Sequence, residues 1–351
     1  MRRTRPLLFA LLLLAAPTAQ AQNFTDSQGV EYTETNGTLS VTGYNGSGGN
    51  VVIPSSYAGL PVTSIGDSAF EANGNLTQVT LPTSLITIGN FSFTYCYALT
   101  KINILGGVTS IGHAAFFITN ITSITLPKGI TSIADTTFDG CGNLTQITIP
   151  DGVTSIGHYA FGASGLTHIT IPASVTSIEP LAFNNCHSLS NVTIGAGVTN
   201  IGIMAFIRCY KLSIVFFKGD APNPGSDAFE YDNLATAYYL PGKKGWGKTY
   251  SGLRALSVAV VHPRVLTQPR GVTVAGGETV KFVVKVSGAS PLRFQWGKNG
   301  KPLANGGNFT GVTRPKLTII KATAVDDGMY RVTISNFFGS TTSAAVKLTV
   351  K

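Results

Sequence analysis

Apolar residues return along this chain on a beat of 22 or 23. Between Val62 and Lys218 the isoleucine that opens each unit recurs at Ile65, Ile88, Ile111, Ile133, Ile156, Ile178 and Ile201. A repeat this short predicts a stacked solenoid, in which each unit buries its apolar side only against its neighbours. One complete unit, residues 133–155, reads IADTTFDGCGNLTQITIPDGVTS. Leu144, Ile147 and Ile149 alternate with Thr145, Gln146 and Thr148, the pattern of a strand with one apolar side inward. Pro150 ends that strand because it donates nothing to a ladder. Val153 and Ile156 flank a second, shorter extended piece, and Gly157 opens the next turn. The Ala-Phe step then supplies an aromatic per unit: Phe70, Phe93, Phe116, Phe138, Phe161, Phe183 and Phe206 are expected to stack as a spine.

The segments on either side follow other patterns. Residues 22–62 alternate through short strands and Gly/Asn/Ser turns, as expected of a β cap that closes a sheet edge. Residues 219–262 break the period and are expected to form a C-terminal cap and linker. From 263 to 351 the chain shows strand alternation without repeats. Residues 1–21 carry Arg2, Arg3 and Arg5, an apolar run and Ala19-Gln20-Ala21, the pattern of an export signal. The run is shorter than the ~20 residues that cross a bilayer, and no transmembrane segment is expected.

The repeat L-x-x-I-x-I-P followed by V-T-S-I-G-x-x-A-F-x-x-C resembles the BspA-type leucine-rich repeat of bacterial surface proteins. It covers residues 63–218. The cysteine precedes the leading leucine by three, where the common leucine-rich repeat places its Asn or Cys after the strand. Strands and turns are therefore expected, with at most one helical turn around Ala-Phe. Residues 263–351 resemble the immunoglobulin fold, with Trp296 as the core tryptophan and Asp326-x-Gly328-x-Tyr330 as the tyrosine corner. Val284 and Val332 stand at the two cysteine positions, so apolar packing replaces the inter-sheet bridge. The expected fold is mainly β: a leucine-rich repeat solenoid with short strands, followed by an Ig-like β-sandwich.

Charge divides the same way. Residues 22–218 hold 9 acidic and 5 basic residues, whereas 263–351 hold 13 basic and 3 acidic, a net +10 within a chain of net +9. A basic module suits an anionic surface, although a solvated sandwich has the same composition.

Chemistry is sparse. No nucleophile–base pair, phosphate loop or metal-binding His pair stands at a useful spacing, and an enzyme is not expected. No cofactor is expected. Asp67, Asn90, His113, Asp135 and His158 share one column, but rungs ~5 Å apart make a poor tetrahedral shell, so these residues read as turn caps. The position three after each Phe holds Asn73, Cys96, Thr119, Cys141, Ser164, Cys186 and Cys209. A buried ladder of small hydrogen-bonding groups is the first reading. A disulfide between Cys186 and Cys209, on adjacent rungs, is the second.

A binding code belongs on the outward side of the longer strand. One column there holds Gln78, Lys101, Ser123, Gln146, His168 and Asn191, then Ile214. The other holds Thr80, Asn103, Thr125, Thr148, Thr170 and Thr193, then Phe216. This threonine-rich side lacks the aromatic platforms that stack on sugars and the Lys/Arg density that meets phosphates, so no nucleic acid is expected. It suits a protein partner met through many weak polar contacts.

By resemblance, the chain is expected to be secreted or held at the cell surface. It is expected to work as a monomeric, non-catalytic binding or adhesion protein for a protein or surface-glycan ligand, with the Ig-like module as spacer or anchor. The alternatives are a carbohydrate-binding accessory protein using Tyr238, Tyr239 and Trp246 or the basic module, and a purely structural envelope protein.

Overall fold

The structure, a computed structural model, describes residues 22–351; the export signal read at residues 1–21 lies outside them. Each repeat contributes one strand to either side of the solenoid. The longer strands are Leu76–Thr80, Lys101–Asn103, Ile124–Thr125, Ile147–Thr148, His168–Ile171, Asn191–Ile194 and Ile214–Phe217. The shorter are two-residue pieces such as Ser155–Ile156 and Ser177–Ile178, paired in parallel so that opening isoleucines meet from Ile65 to Ile111 and again from Ile133 to Ile201. Among the described residues the single helical element is the 3-10 turn Ala324–Asp326. The Ala-Phe corners are turns.

Those corners have an unusual backbone. Two residues before each spine phenylalanine φ is positive, at Ser68, Phe91, Ala114, Thr136, Tyr159, Leu181, Met204 and Asp227. Two residues after it φ is positive again, and only Gly140 among those eight is a glycine. Left-handed conformation costs an ordinary residue roughly 1–2 kcal/mol. The alternation turns every second N–H along the stack: Phe161 N donates to Ala182 O at 2.8 Å and Ala163 N to Asn184 O at 2.7 Å. Rung-to-rung hydrogen bonding thus continues through the corner, which offsets the strain. The Ile-Gly step has a different cause. A Cβ on Gly112 would lie 2.6 Å from Asn90 N, so close approach of successive rungs excludes a side chain there.

The phenylalanines form the expected spine, with neighbouring rings parallel within 12° and their centroids 4.9–5.6 Å apart. The stack continues past Lys218, the last residue of the expected repeats. Asn223–Pro224 pairs with Asn200–Ile201, Thr236–Tyr239 pairs with Ile214–Phe217, and Phe229 stacks on Phe206 at 5.1 Å. An eighth rung exists inside the segment read as a cap. Its sequence signal, Ala228-Phe229, lies 23 residues beyond Ala205-Phe206. Pro224 in place of the opening isoleucine concealed it.

The ladder beside the spine is buried. Cys96, Cys141, Cys186 and Cys209 each donate Sγ–H to the carbonyl of the spine phenylalanine one rung earlier, at 3.0–3.2 Å. All four are free thiols, Cys186 and Cys209 included. Burial pushes the Cys96 thiol up to about 12 and the Cys141 thiol up to about 11. Thr119 and Ser164 fill the ladder on the two rungs that are 22 residues long. There one residue is missing between the ladder position and the strand. The turn bond made elsewhere, as in Leu144 N to Cys141 O at 3.0 Å, is replaced by Thr119 Oγ1 donating to Phe116 O at 3.1 Å. The longer-strand sheet is interrupted at both places, before Ile124–Thr125 and before His168–Ile171. The eighth ladder residue is Asp232, 1% exposed, with neither carboxylate oxygen hydrogen-bonded. Burial raises its pKa to about 8.

At the N-terminal end the strands Asn23–Thr25, Val30–Thr35 and Thr38–Tyr44 pair antiparallel, and Thr38–Tyr44 then runs parallel to Leu60–Ile65. Tyr44 covers the first spine ring at 5.3 Å. At the other end Trp246 stacks on Tyr239 at 4.5 Å and meets Phe217 edge-on at 4.8 Å. Tyr250 closes over Phe217 and Phe229.

Residues 263–351 form a six-stranded and a three-stranded sheet that share one core, with the antiparallel pair Arg264–Thr267 and Lys285–Ser287 beside them. Trp296 is fully buried and donates Nε1–H to Arg314 O at 2.9 Å; the Tyr330 hydroxyl donates to Asp326 O at 2.7 Å. Val284 and Val332 pack in the same core with Phe282, so the bridge positions are filled by apolar contact.

Candidate functional site: the outward strand side and the elbow

The two outward columns lie where strand alternation puts them. Gln78 aligns with Lys101 and Thr80 with Asn103; Thr125 aligns with Thr148; His168 and Thr170 align with Asn191 and Thr193. Thr80, Lys101, Asn103, Ser123, Thr125, Gln146, Thr148, His168 and Thr170 are exposed, while Gln78, Asn191 and Thr193 are half-buried. The structure brings these residues together in three blocks, because the 22-residue rungs interrupt pairing between Asn103 and Ile124 and between Thr148 and His168. On the turn column Asp67, Asn90 and Asp135 accept the backbone N–H of Asn90, His113 and His158 at 2.7–2.9 Å. Those side chains tie each rung to the next.

The columns end differently from how they begin. Ile214 is 8% exposed and Phe216 1%, although both point to the outward side. Their cover is the hairpin between Gly328–Asn336 and Gly339–Thr342 in the Ig-like module. Phe337, at the tip of that hairpin, stacks on Phe216 at 4.6 Å and touches Tyr238 at 5.3 Å; Phe338 meets Phe216 edge-on. Asn336 holds the tip in place by donating Nδ2–H to Val261 O at 2.7 Å and to Ala289 O at 3.0 Å. The Arg293 guanidinium reaches across to the amide oxygen of Asn191.

This contact makes an elbow. Between the outward side and the module lies a groove of about 460 Å³, lined by Thr167, His168, Thr170, Ser190, Asn191, Thr193 and Ile214 from the solenoid and by Pro291, Arg293, Ser335 and Phe337 from the module. The hollow continues over Ile147, Thr148 and Pro172 toward Asp151 and Lys218. Sequence reasoning placed His168, Thr170, Asn191, Thr193 and Ile214 on this side and missed Thr167, Ser190, Arg293, Ser335 and Phe337. The signal was present in two departures from pattern. Apolar Ile214 and Phe216 interrupt polar columns, and Phe337-Phe338 occupies a two-residue hairpin turn that ordinarily takes Asn-Gly. Two apolar surfaces of this kind require one another.

Tyr238, Tyr239 and Trp246 do not form one cluster. Strand alternation sends Tyr239 to the capped end with Trp246, and Tyr238 to the elbow against Phe337.

Residues 48–164 and 131–244 match the BspA type leucine rich repeat region, in six copies. The chain belongs to this family. Residues 263–350 match the immunoglobulin I-set domain. Among solved structures, this BspA-type chain is similar to a leucine-rich cell surface protein from Faecalibacterium prausnitzii A2-165. Identity there is 26%, over 62% of this chain and 76% of that one, with a TM-score of 0.43. It is similar also to a leucine-rich repeat protein of T. pallidum, at 28% identity over 59% of this chain and 89% of that one, with a TM-score of 0.43. The Ig-like module is similar to the titin M3 domain, at 31% identity over 26% of this chain and 98% of that one, with a TM-score of 0.23. No helix among the described residues is long and apolar enough to cross a membrane.

Proposed function

We propose that this is an exported, non-catalytic binding protein of the cell surface that recognises a protein partner along its outward strand side. In this reading residues 1–21 direct export. The solenoid presents the recognition columns, and the Ig-like module braces one end of them. The observation that carries the reading is the elbow. The module seals the apolar end of the columns, at Ile214 and Phe216, and leaves the polar remainder open. A repeat stack offers a long, rigid, evenly spaced row of hydrogen-bonding side chains, which suits extended contact with another protein.

The test is binding of the chain to a panel of immobilised extracellular proteins and glycans, beside a variant carrying Gln146→Lys and Thr148→Lys. Both residues are exposed, so the variant should fold. Saturable binding to a protein, lost in the variant, is the expected result. Binding to glycans alone, or binding that the variant retains, would overturn the reading.

A further inference from the structure

We infer that the elbow groove is the seat of an acidic peptide segment, held by a carboxylate on Arg293 with its chain lying across the hydroxyl-rich floor. This rests on the reading of the outward side as a recognition surface and adds the chemistry of what sits there. The groove's lining contains one arginine and one histidine, and no Asp or Glu. Arg293 is exposed, and its side-chain partner is the neutral amide oxygen of Asn191 rather than a carboxylate. Exchanging that amide for a ligand carboxylate turns a contact charged on one side only into an ion pair that two parallel N–H···O bonds can make bidentate. The exchange releases the half-buried Asn191 amide oxygen to solvent, while its Nδ2 keeps its bond to Ser190 Oγ at 2.8 Å.

His168 stands at the other end of the floor. Its Nδ1 is engaged by Thr167 Oγ1 at 3.1 Å, which leaves Nε2 to meet a ligand. Between the two lie Thr170, Thr193 and, from the module, Ser335. Each hydroxyl both donates and accepts, so the floor can meet the alternating N–H and C=O groups of an extended chain. The floor spans the rungs of His168–Ile171, Asn191–Ile194 and Ile214, about 10 Å, the length of three extended residues.

The same walls argue against an acidic sugar as occupant. Sugar rings are recognised by stacking on a free aromatic face. The aromatic ring here, Phe337, has one face against Phe216 at 4.6 Å and Tyr238 beside it at 5.3 Å.

The experiment is fluorescence anisotropy of a labelled hexaglutamate peptide titrated with the full chain, with hexalysine and hexagalacturonate as comparators. The expected result is saturable binding of hexaglutamate that weakens about tenfold in Arg293→Gln and partly recovers in Arg293→Lys. A variant with Lys281→Gln and Lys285→Gln, neither of which lines the groove, should stay within about twofold. Absence of saturable binding would overturn the proposal. So would equal weakening in the Lys281/Lys285 variant, which signals diffuse attraction, or equal binding of hexagalacturonate, which signals a glycan site. If hexaglutamate ignores Arg293→Gln while protein ligands are still lost with Thr148→Lys, the elbow proposal fails and the wider recognition reading stands.

Discussion

At the ladder position one task is done by a thiol, a hydroxyl or a carboxyl. Cys186 and Cys209 donate a hydrogen bond to a carbonyl one rung back, and Thr119 donates one within its own rung. Asp232 stands in the same column without a hydrogen-bond partner, and only its protonated form can donate. Its pKa of about 8 lies above the ~3.9 of an unfolded aspartate. The folded chain therefore keeps a proton that the unfolded chain releases, so stability falls as pH climbs from about 4 to about 8 and then levels. Asp139, raised by burial to about 6, adds to the lower part of that window. Asp232→Asn should remove the fall between pH 6 and 8, leaving the variant about 2 kcal/mol more stable than wild type at pH 8. Urea unfolding at pH 5, 6 and 8 reads this, and parallel profiles would contradict it. A second residue-scale outcome concerns the corners. Ala163, exposed at φ 47°, should gain about 0.5–1 kcal/mol as glycine. Ala173→Gly, in a turn of ordinary φ, should lose stability; thermal melts of the two variants decide.

At the scale of the rung, most of the fold was legible. Period, strand polarity, Phe spine and small-residue ladder all follow from which positions are apolar. Three things were not. Alternating left-handed corners leave no trace in residue type, because backbone hydrogen bonds along the stack stabilise Leu181 and Met204 where glycine would be expected. The eighth rung was masked by a single proline in the opening position. The breaks in the outward sheet are set by two missing residues, visible as 22 in a run of 23 yet interpretable only once pairing is seen. The spine carries a rung-scale prediction. Phe161→Ala should cost about 3–5 kcal/mol. Because each rung touches only its neighbours, the loss should appear in hydrogen exchange as increased opening centred on residues 138–183. Uniform loosening of the whole stack would contradict it.

At the scale of the molecule, the outward columns were legible and the elbow was not. It depends on two segments more than 100 residues apart, Phe216 and Phe337, whose apolar character makes sense only as a pair. Phe337→Ser should free the module. Small-angle scattering is then expected to show a larger radius of gyration, and limited proteolysis faster cleavage within residues 258–262; an unchanged profile would mean the contact does not hold the elbow.

The central claim is that the outward strand side, and not the opposite side, touches the partner. Placing a photo-cross-linking residue at Thr148 or at Thr154 tests it directly, since both are exposed, Thr148 within a longer strand and Thr154 immediately before the shorter strand Ser155–Ile156 on the other side. With a protein ligand bound, cross-linking from Thr148 and none from Thr154 is the predicted result. Cross-linking from Thr154 with none from Thr148 would contradict it.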